Sequence, residues 1–278
     1  MSYKIIVDSC GELTEEMKND GHFQNVPLSM EVSGKHIRDD ETFNQKEFIK
    51  LVAESEECPK SSCPSPEDYM DSYRDGDRVY VVTLSAELSG SYNSAELGRN
   101  LYYEEVGEKD IHVFNSKSAS VGQTLIALKI RECEDKGMSF DEVVSEVEAY
   151  IDEQKTYFVL ENIDTLKKNG RLTGIKALVA TALNIKPVLG STPEGTIDQL
   201  GKARGIKKAV SKMIELILAE VENPENKVLG IANCNCPERA VQVKDQLLAA
   251  APFKDVVIVD TAGISTMYAN DGGIIIVL

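Results

Sequence analysis

Short runs of β-branched and aliphatic residues alternate with longer runs of helical spacing along the whole chain. This alternation restricts it to an α/β fold with largely parallel strand pairing. The strand-like runs are Lys4–Val7, Arg78–Leu84, Ile111–Phe114, Tyr157–Leu160, Lys186–Leu189, Val228–Ala232, Val256–Val259 and Gly273–Leu278. The helical runs carry their own start signals. Ser139 and Glu142 form a capping box, and Phe140, Val143, Val144, Val147 and Ile151 follow on one face. Ser65-Pro66-Glu67-Asp68 combines a cap, a fixed φ and two acids in a first turn, and Pro237 opens a helix through Leu248. From Arg204 onward, Ile206, Val210, Met213, Ile217 and Val221 make one apolar stripe, with Lys207, Lys208 and Lys212 off it.

A chain of 278 residues accommodates two modest domains. The natural division falls near residue 155. We expect an N-terminal α/β/α domain over 1–155 with a mainly parallel sheet, and a two-layer α/β domain over 156–278 with a mixed sheet. No segment approaches the roughly 18 apolar residues of a membrane helix. Met1-Ser2-Tyr3-Lys4 leads straight into a strand without a signal-peptide pattern, so a cytoplasmic protein that is not integral to the membrane is expected. The cysteines at 10, 58, 63, 133, 234 and 236 are expected to be reduced and mostly buried. Cys234-Asn235-Cys236 lacks a second Cys/His pair, so no metal is expected.

The net charge of −16 argues against nucleic-acid binding. It is unevenly spread. Between Thr165 and Lys212, ten basic residues against two acidic ones give +8, which leaves −24 for the rest of the chain. Lys202, Arg204, Lys207 and Lys208 form the densest part of this stretch. It reads either as a solvated face or as a docking site for an anionic partner.

Three serine-bearing segments precede helices: Cys58–Ser65, Leu88-Ser89-Gly90-Ser91-Tyr92 and Asn115–Ser120. The last two directly follow strands, where open α/β sheets bind ligands. Their hydroxyls and free backbone amides suit either ordinary capping or a carboxylate or phosphate site. A further helix runs into Asn169-Gly170, which places Arg171, a bidentate donor for such an anion, at the start of the next segment. Gly-x-Ser-x-Gly, the Walker A sequence and Gly-x-Gly-x-x-Gly are all missing, and none of His22, His36 and His112 stands beside a serine elbow. The pattern favours a binder without catalytic residues or cofactor over a catalyst.

These segments together resemble the DegV family over nearly the whole chain. Asp8-Ser9 looks like its opening Asp-Ser, and Ser61-Ser62-Cys63-Pro64-Ser65 is similar to its Thr-Ser-Gln-Pro-Ser. Leu88–Ala95 resembles Leu-Ser-Gly-Thr-Tyr-Gln-Ser-Ala, and Asn115–Ser120 resembles Asp-Ser/Thr-Lys-Ser-Ala-Ser. Leu160-Glu161-Asn162 through Gly170-Arg171 is close to Leu-Glu-Asn…Gly-Gly-Arg, and Gly201–Arg204 with Lys207-Lys208 resembles its basic segment.

The resemblance implies a fatty-acid carrier of two domains with the lipid, palmitate-like, buried between them. It assigns the carboxylate to Ser61, Ser62, Ser89, the Gly90 amide and Arg171. It further implies a role in lipid transport or fatty-acid metabolism, in which members of the FakB kind present the acid to a separate fatty-acid kinase. The basic residues Lys202, Arg204, Lys207 and Lys208 would then dock that kinase. Two positions depart from the pattern. Tyr268 stands where the family has a histidine that meets the carboxylate, and Ala232-Asn233 replaces Ala-His. A tyrosine can donate a hydrogen bond but supplies no positive charge. Two other readings remain: an enzyme or subunit gripping a small carboxylated or phosphorylated metabolite, and a protein-interaction module.

Overall fold

The structure is a computed structural model that describes residues 2–172 and 184–278. Lys176, one of the ten basic residues counted above, lies outside them. The first half runs β1 (Tyr3–Asp8), α1 (Glu15–Asn19), β2 (Phe23–Val26), β3 (Ser29–Val32), β4 (Lys35–Arg38), α2 (Gln45–Glu54), β5 (Lys60–Ser62), α3 (Pro66–Ser72), β6 (Arg78–Thr83), α4 (Ser91–Glu105), β7 (Asp110–Asn115), α5 (Val121–Asp135) and α6 (Phe140–Glu153). The second half runs β8 (Thr156–Val159), α7 (Asp164–Lys168), β9 (Ile185–Ser191), β10 (Ile197–Arg204), α8 (Ile206–Glu220), β11 (Val228–Asn233), α9 (Pro237–Ala250), β12 (Asp255–Asp260), α10 (Gly263–Ala269) and β13 (Ile274–Val277).

β2, β1, β6 and β7 form a parallel sheet in that order. Helices cover both of its faces, so β1 from Ile5 to Asp8 and β6 from Val79 to Thr83 are buried without alternation. β4, β3 and β5 make a small antiparallel sheet. The second half builds a six-stranded sheet of order β10-β9-β8-β13-β11-β12. This is the mixed sheet expected for the second half, and the largely parallel pairing suggested by the alternation of elements holds only in the first. Four of the five strand pairs in the six-stranded sheet are antiparallel, and only β11 and β12 run parallel. The reason is local: β9 and β10 close as a hairpin at Gly195 (φ 90), and the final strand β13 inserts between β8 and β11.

All eight expected strands are present. The five that were missed, β2 to β5 and β10, are three- or four-residue strands or, in β10, a polar one. The capping boxes at Ser139 and Ser65 both form.

α5 is the layer between the two large sheets. Ile126, Ala127 and Ile130 pack with Ile5, Val7, Tyr80 and Val82 of the parallel sheet. Val121 and Leu125 pack with Phe158, Leu189 and Ile275 of the mixed one. Every residue from Val121 to Ala127 is buried, as a helix covered on all sides requires. β11 approaches it so closely that a Cβ at Gly230 would meet Val121 at 2.9 Å and Leu125 at 3.0 Å. α10 crosses the other way: its Ile264 and Met267 pack with Met30 and Phe48 of the first half.

Candidate functional site

The six residues singled out as anion contacts come from four separate places in the chain and line one pocket. Ser61 and Ser62 lie on β5, an edge strand that among the described residues pairs with β3 alone. Ser89 and Gly90 follow β6 and lead into α4, with Gly90 at its N-cap, so the N-terminal amides of a 15-residue helix open beside the pocket. Arg171 comes from the turn after α7. Gly170 takes the left-handed conformation there (φ 75), and the Arg171 amide donates back to the Leu166 carbonyl at 2.8 Å. Tyr268 stands on α10.

Their geometry is mutually reinforcing. The Ser61 and Tyr268 hydroxyls share a hydrogen bond of 3.1 Å. The Arg171 guanidinium lies 5.7 Å from the centre of the Tyr268 ring, within cation–π range. Its Nε donates to the Leu88 carbonyl at 3.2 Å and its Nη1 to the Asn169 carbonyl at 2.6 Å. Two of the five guanidinium N–H groups thus hold the fork in place, and the others have no hydrogen-bond partner among the described residues. Burial pushes the Tyr268 phenol up, which the Ser61 hydrogen bond and the Arg171 charge only partly oppose. Tyr268 therefore stays a neutral hydroxyl, able to donate.

The pocket continues into an apolar cavity. Leu84, Leu88, Arg171, Ile264 and Tyr268 line both. Further in, Phe158, Leu160, Leu166, Ile197 and Ile275 form its walls, and it holds about 750 Å³ of atom-free space, part of it open to solvent. The arrangement is a few converging donors, one of them cationic, at the mouth of an apolar channel.

The third serine segment takes a different place. Ser116 Oγ donates to the Ser118 carbonyl at 3.0 Å, Ser118 Oγ pairs with Thr156 Oγ1 at 2.7 Å, and Ser120 Oγ donates to Glu12 at 2.8 Å. These hydroxyls are consumed inside the fold. Ser118 and Ser120 sit along the apolar cavity instead of at the polar pocket. Ser65 is likewise occupied, by its capping box with Asp68. Of the three segments expected at one site, two therefore line the polar pocket and the third lies apart from it.

Three buried carboxylates brace the site from behind, and two of them carry no sequence signal. Asp8, quoted above only as part of a motif, accepts from Leu84 N at 2.7 Å, Ser91 Oγ at 2.6 Å and Gln123 Nε2 at 2.9 Å. It fixes both ends of the loop that carries Leu88 and Ser89. Asp39 accepts from Gly263 N at 2.6 Å and Ile264 N at 2.8 Å, capping the helix that presents Tyr268. Within Arg38-Asp39-Asp40 it reads as a surface charge. Glu12 bridges Ser120 and the Ala262 amide, tying α5 to the start of α10. Burial is the leading influence on all three acids and pushes each up, Asp39 to about 6 and Glu12 to about 7.

Lys202, Arg204, Lys207 and Lys208 are all exposed, and none lines either cavity. Lys202 and Arg204 lie on the edge strand β10, and Lys207 and Lys208 in the first turn of α8. The α8 stripe faces the core as its spacing predicts. All six cysteines are free. The expected burial holds for Cys10, Cys133 and Cys234, whereas Cys58, Cys63 and Cys236 are partly exposed, because their loops border the cavities or the surface. Among the described residues no group of His, Cys, Asp and Glu could hold a metal ion, and no helix is long and apolar enough to cross a membrane.

Comparison with known proteins gives four concordant matches. The family described as "uncharacterised protein, DegV family" matches residues 2–278. A DegV domain-containing protein of Streptococcus pyogenes serotype M3 is 36% identical over 278 residues, which is 99% of this chain and 98% of that protein. Among solved structures, a DegV-family protein from Ruminococcus gnavus, refined with vaccenic acid, superposes with a TM-score of 0.97 at 62% identity and covers 99% of both chains. The fatty acid kinase (Fak) B3 protein of Streptococcus pneumoniae, loaded with linoleic acid, superposes with a TM-score of 0.90 at 32% identity, covering 100% of this chain and 99% of that one.

Proposed function

The chain belongs to the DegV family, and from that premise we propose that it carries one long-chain fatty acid, carboxylate in the polar pocket and tail in the apolar cavity. The observation that supports this most directly is the continuity of the two spaces. The residues they share, Leu84, Leu88, Arg171, Ile264 and Tyr268, include the cation and the aromatic donor at the junction. In this reading Arg171, Ser61, Ser62, Ser89, the Gly90 amide and Tyr268 hold the carboxylate, and the acid lies between residues 1–155 and 156–278. The likeness to relatives refined with vaccenic and linoleic acids supports the ligand class.

The energetics divide the labour. Each buried CH₂ contributes about 0.8 kcal/mol, so a tail of some fifteen methylenes supplies roughly 12 kcal/mol at most. A charge-assisted hydrogen bond contributes about 1.5–3 kcal/mol. The channel therefore sets affinity, while the polar pocket sets which end points outward.

The protein itself does no covalent chemistry in this reading. None of its three histidines lines either cavity, and the aromatic residue at the carboxylate is a tyrosine kept neutral by burial. Its task is to keep the acid in solution in the cytoplasm and to present it to a separate fatty-acid kinase, which approaches over the basic residues Lys202, Arg204, Lys207 and Lys208. Native mass spectrometry of protein purified from cells tests the reading. A retained mass of a 16–18-carbon acid, the length range the family resemblance implies, is expected. An empty protein whose melting responds instead to small phosphorylated or carboxylated metabolites would replace the carrier by an enzyme subunit.

A further inference from the structure

The donors assigned to the carboxylate sit on segments far apart in the chain, and one residue joins two of them. Asn169 follows α7 and precedes the Gly170 turn. Its side-chain amide donates to the Pro59 carbonyl at 3.0 Å and to the Thr165 carbonyl at 3.1 Å, with Cys58 Sγ at 3.5 Å. Its main-chain carbonyl accepts from Arg171 Nη1 at 2.6 Å. One hydrogen of the amide thus stays within α7, and the other crosses to the backbone immediately before β5, the strand of Ser61 and Ser62.

We infer that Asn169 is a positioning residue for the bound carboxylate: it sets the separation between the Ser61–Ser62 hydroxyls and the Arg171 guanidinium. This rests on the fatty-acid reading above. Asn169 does not itself line the polar pocket, so it acts through its neighbours. The helix end does not need its side chain. Backbone bonds from Asn169 to Thr165 (3.0 Å), Gly170 to Lys167 (3.1 Å) and Arg171 to Leu166 (2.8 Å) already close it. β5 does need a tether. It has three residues, pairs through Ser29, Met30 and Glu31 of β3 alone, and offers its other edge to no strand among those described. Pro59 is buried, so its carbonyl bond to Asn169 is made in a place where an unpaired acceptor is costly. Small misplacements of a binding group weaken charge-assisted contacts steeply.

Asn169→Ala tests this, with Asn169→Ser beside it. Serine can keep the local bond to Thr165 but cannot reach Pro59. Palmitate and hexadecanol, which share a tail and differ in the head, are each titrated by displacement of a fluorescent fatty-acid probe. Both variants are expected to lose about tenfold in palmitate affinity, the loss of one well-placed charged contact, and to change hexadecanol affinity less than about twofold. The preference for acid over alcohol would then shrink while the tail contribution stays. Acid and alcohol affinities that fall together, or a preference equal to wild type, would overturn the proposal while leaving the carrier reading intact. A wild-type protein that binds neither ligand, or does not prefer the acid, would overturn that reading and the proposal with it.

Discussion

Glu12→Gln isolates the cost of burying an acid at the junction of the two halves. Glu12 is 5% exposed, and burial raises its carboxyl from an ordinary value of 4.5 to about 7, while hydrogen bonds from Ser120 and the Ala262 amide restrain the rise. The folded value lies above the unfolded one, so between about 4.5 and 7 the native protein binds more protons than the unfolded chain. Stability therefore falls as pH rises through that window. At about 1.36 kcal/mol per pH unit, the full fall is roughly 3 kcal/mol. Asp39 contributes with the same sign over a lower window, from 3.8 to about 6. Glutamine cannot ionise, and its oxygen keeps the 2.8 Å bond from Ser120, but its amide faces the Ala262 N–H, a loss of about 1 kcal/mol. The variant should consequently be about 2 kcal/mol more stable than wild type at pH 8 and no more stable at pH 5. Urea midpoints at pH 5, 6, 7 and 8 measure this. Between pH 6 and 7.5 wild-type stability should fall more steeply than that of Glu12→Gln. Parallel curves for the two proteins would refute the reasoning, because they would show that Glu12 carries no excess proton in the fold.

Three further outcomes follow from the site. Ser89→Ala and Arg171→Ala should each weaken palmitate binding by about 1–3 kcal/mol, the usual loss for a charge-assisted hydrogen bond; calorimetry with both variants at wild-type affinity would remove these residues from the head-group site. Tyr268→Phe should cost about 1 kcal/mol, because it removes the hydroxyl that meets Ser61 at 3.1 Å while keeping the ring beneath Arg171; a liganded structure with that hydroxyl turned away from the carboxylate would contradict it. Reversing Lys207 and Lys208 together to Glu should leave fatty-acid affinity unchanged, since both are exposed and away from the cavities, and should slow acyl-phosphate formation by the cognate kinase more at low salt than at high. A double variant that supports the kinase as well as wild type at every ionic strength would leave these lysines as a solvated face.

The sequence determined the class of fold because its signals are local. Hydrophobic runs such as Ile5–Val7 and Val79–Val82 are long enough to be buried on both faces, and the capping serines at 65 and 139 bond residues three positions away. It also singled out Ser61, Ser62, Ser89, Gly90, Arg171 and Tyr268, because each stands in a short motif whose order along the chain resembles one family. Only tertiary structure decided what those residues do together. Ser61 and Tyr268 are 207 positions apart and share a hydrogen bond. The hydroxyls of Ser116, Ser118 and Ser120 look as available as that of Ser89, yet all are used up: Ser116 by the carbonyl of Ser118, and Ser118 and Ser120 by Thr156 and Glu12 from distant segments. Asp39 reads as a surface acid and is 3% exposed because α10, more than two hundred residues later, lays its first amides on it. Nor does β10 announce itself, since its pattern is polar and its place is set by the hairpin with β9. Periodicity records which face of an element is buried; it does not record which distant element does the burying, and at this site the hydroxyls, carboxylates and guanidinium are held by contacts of that kind.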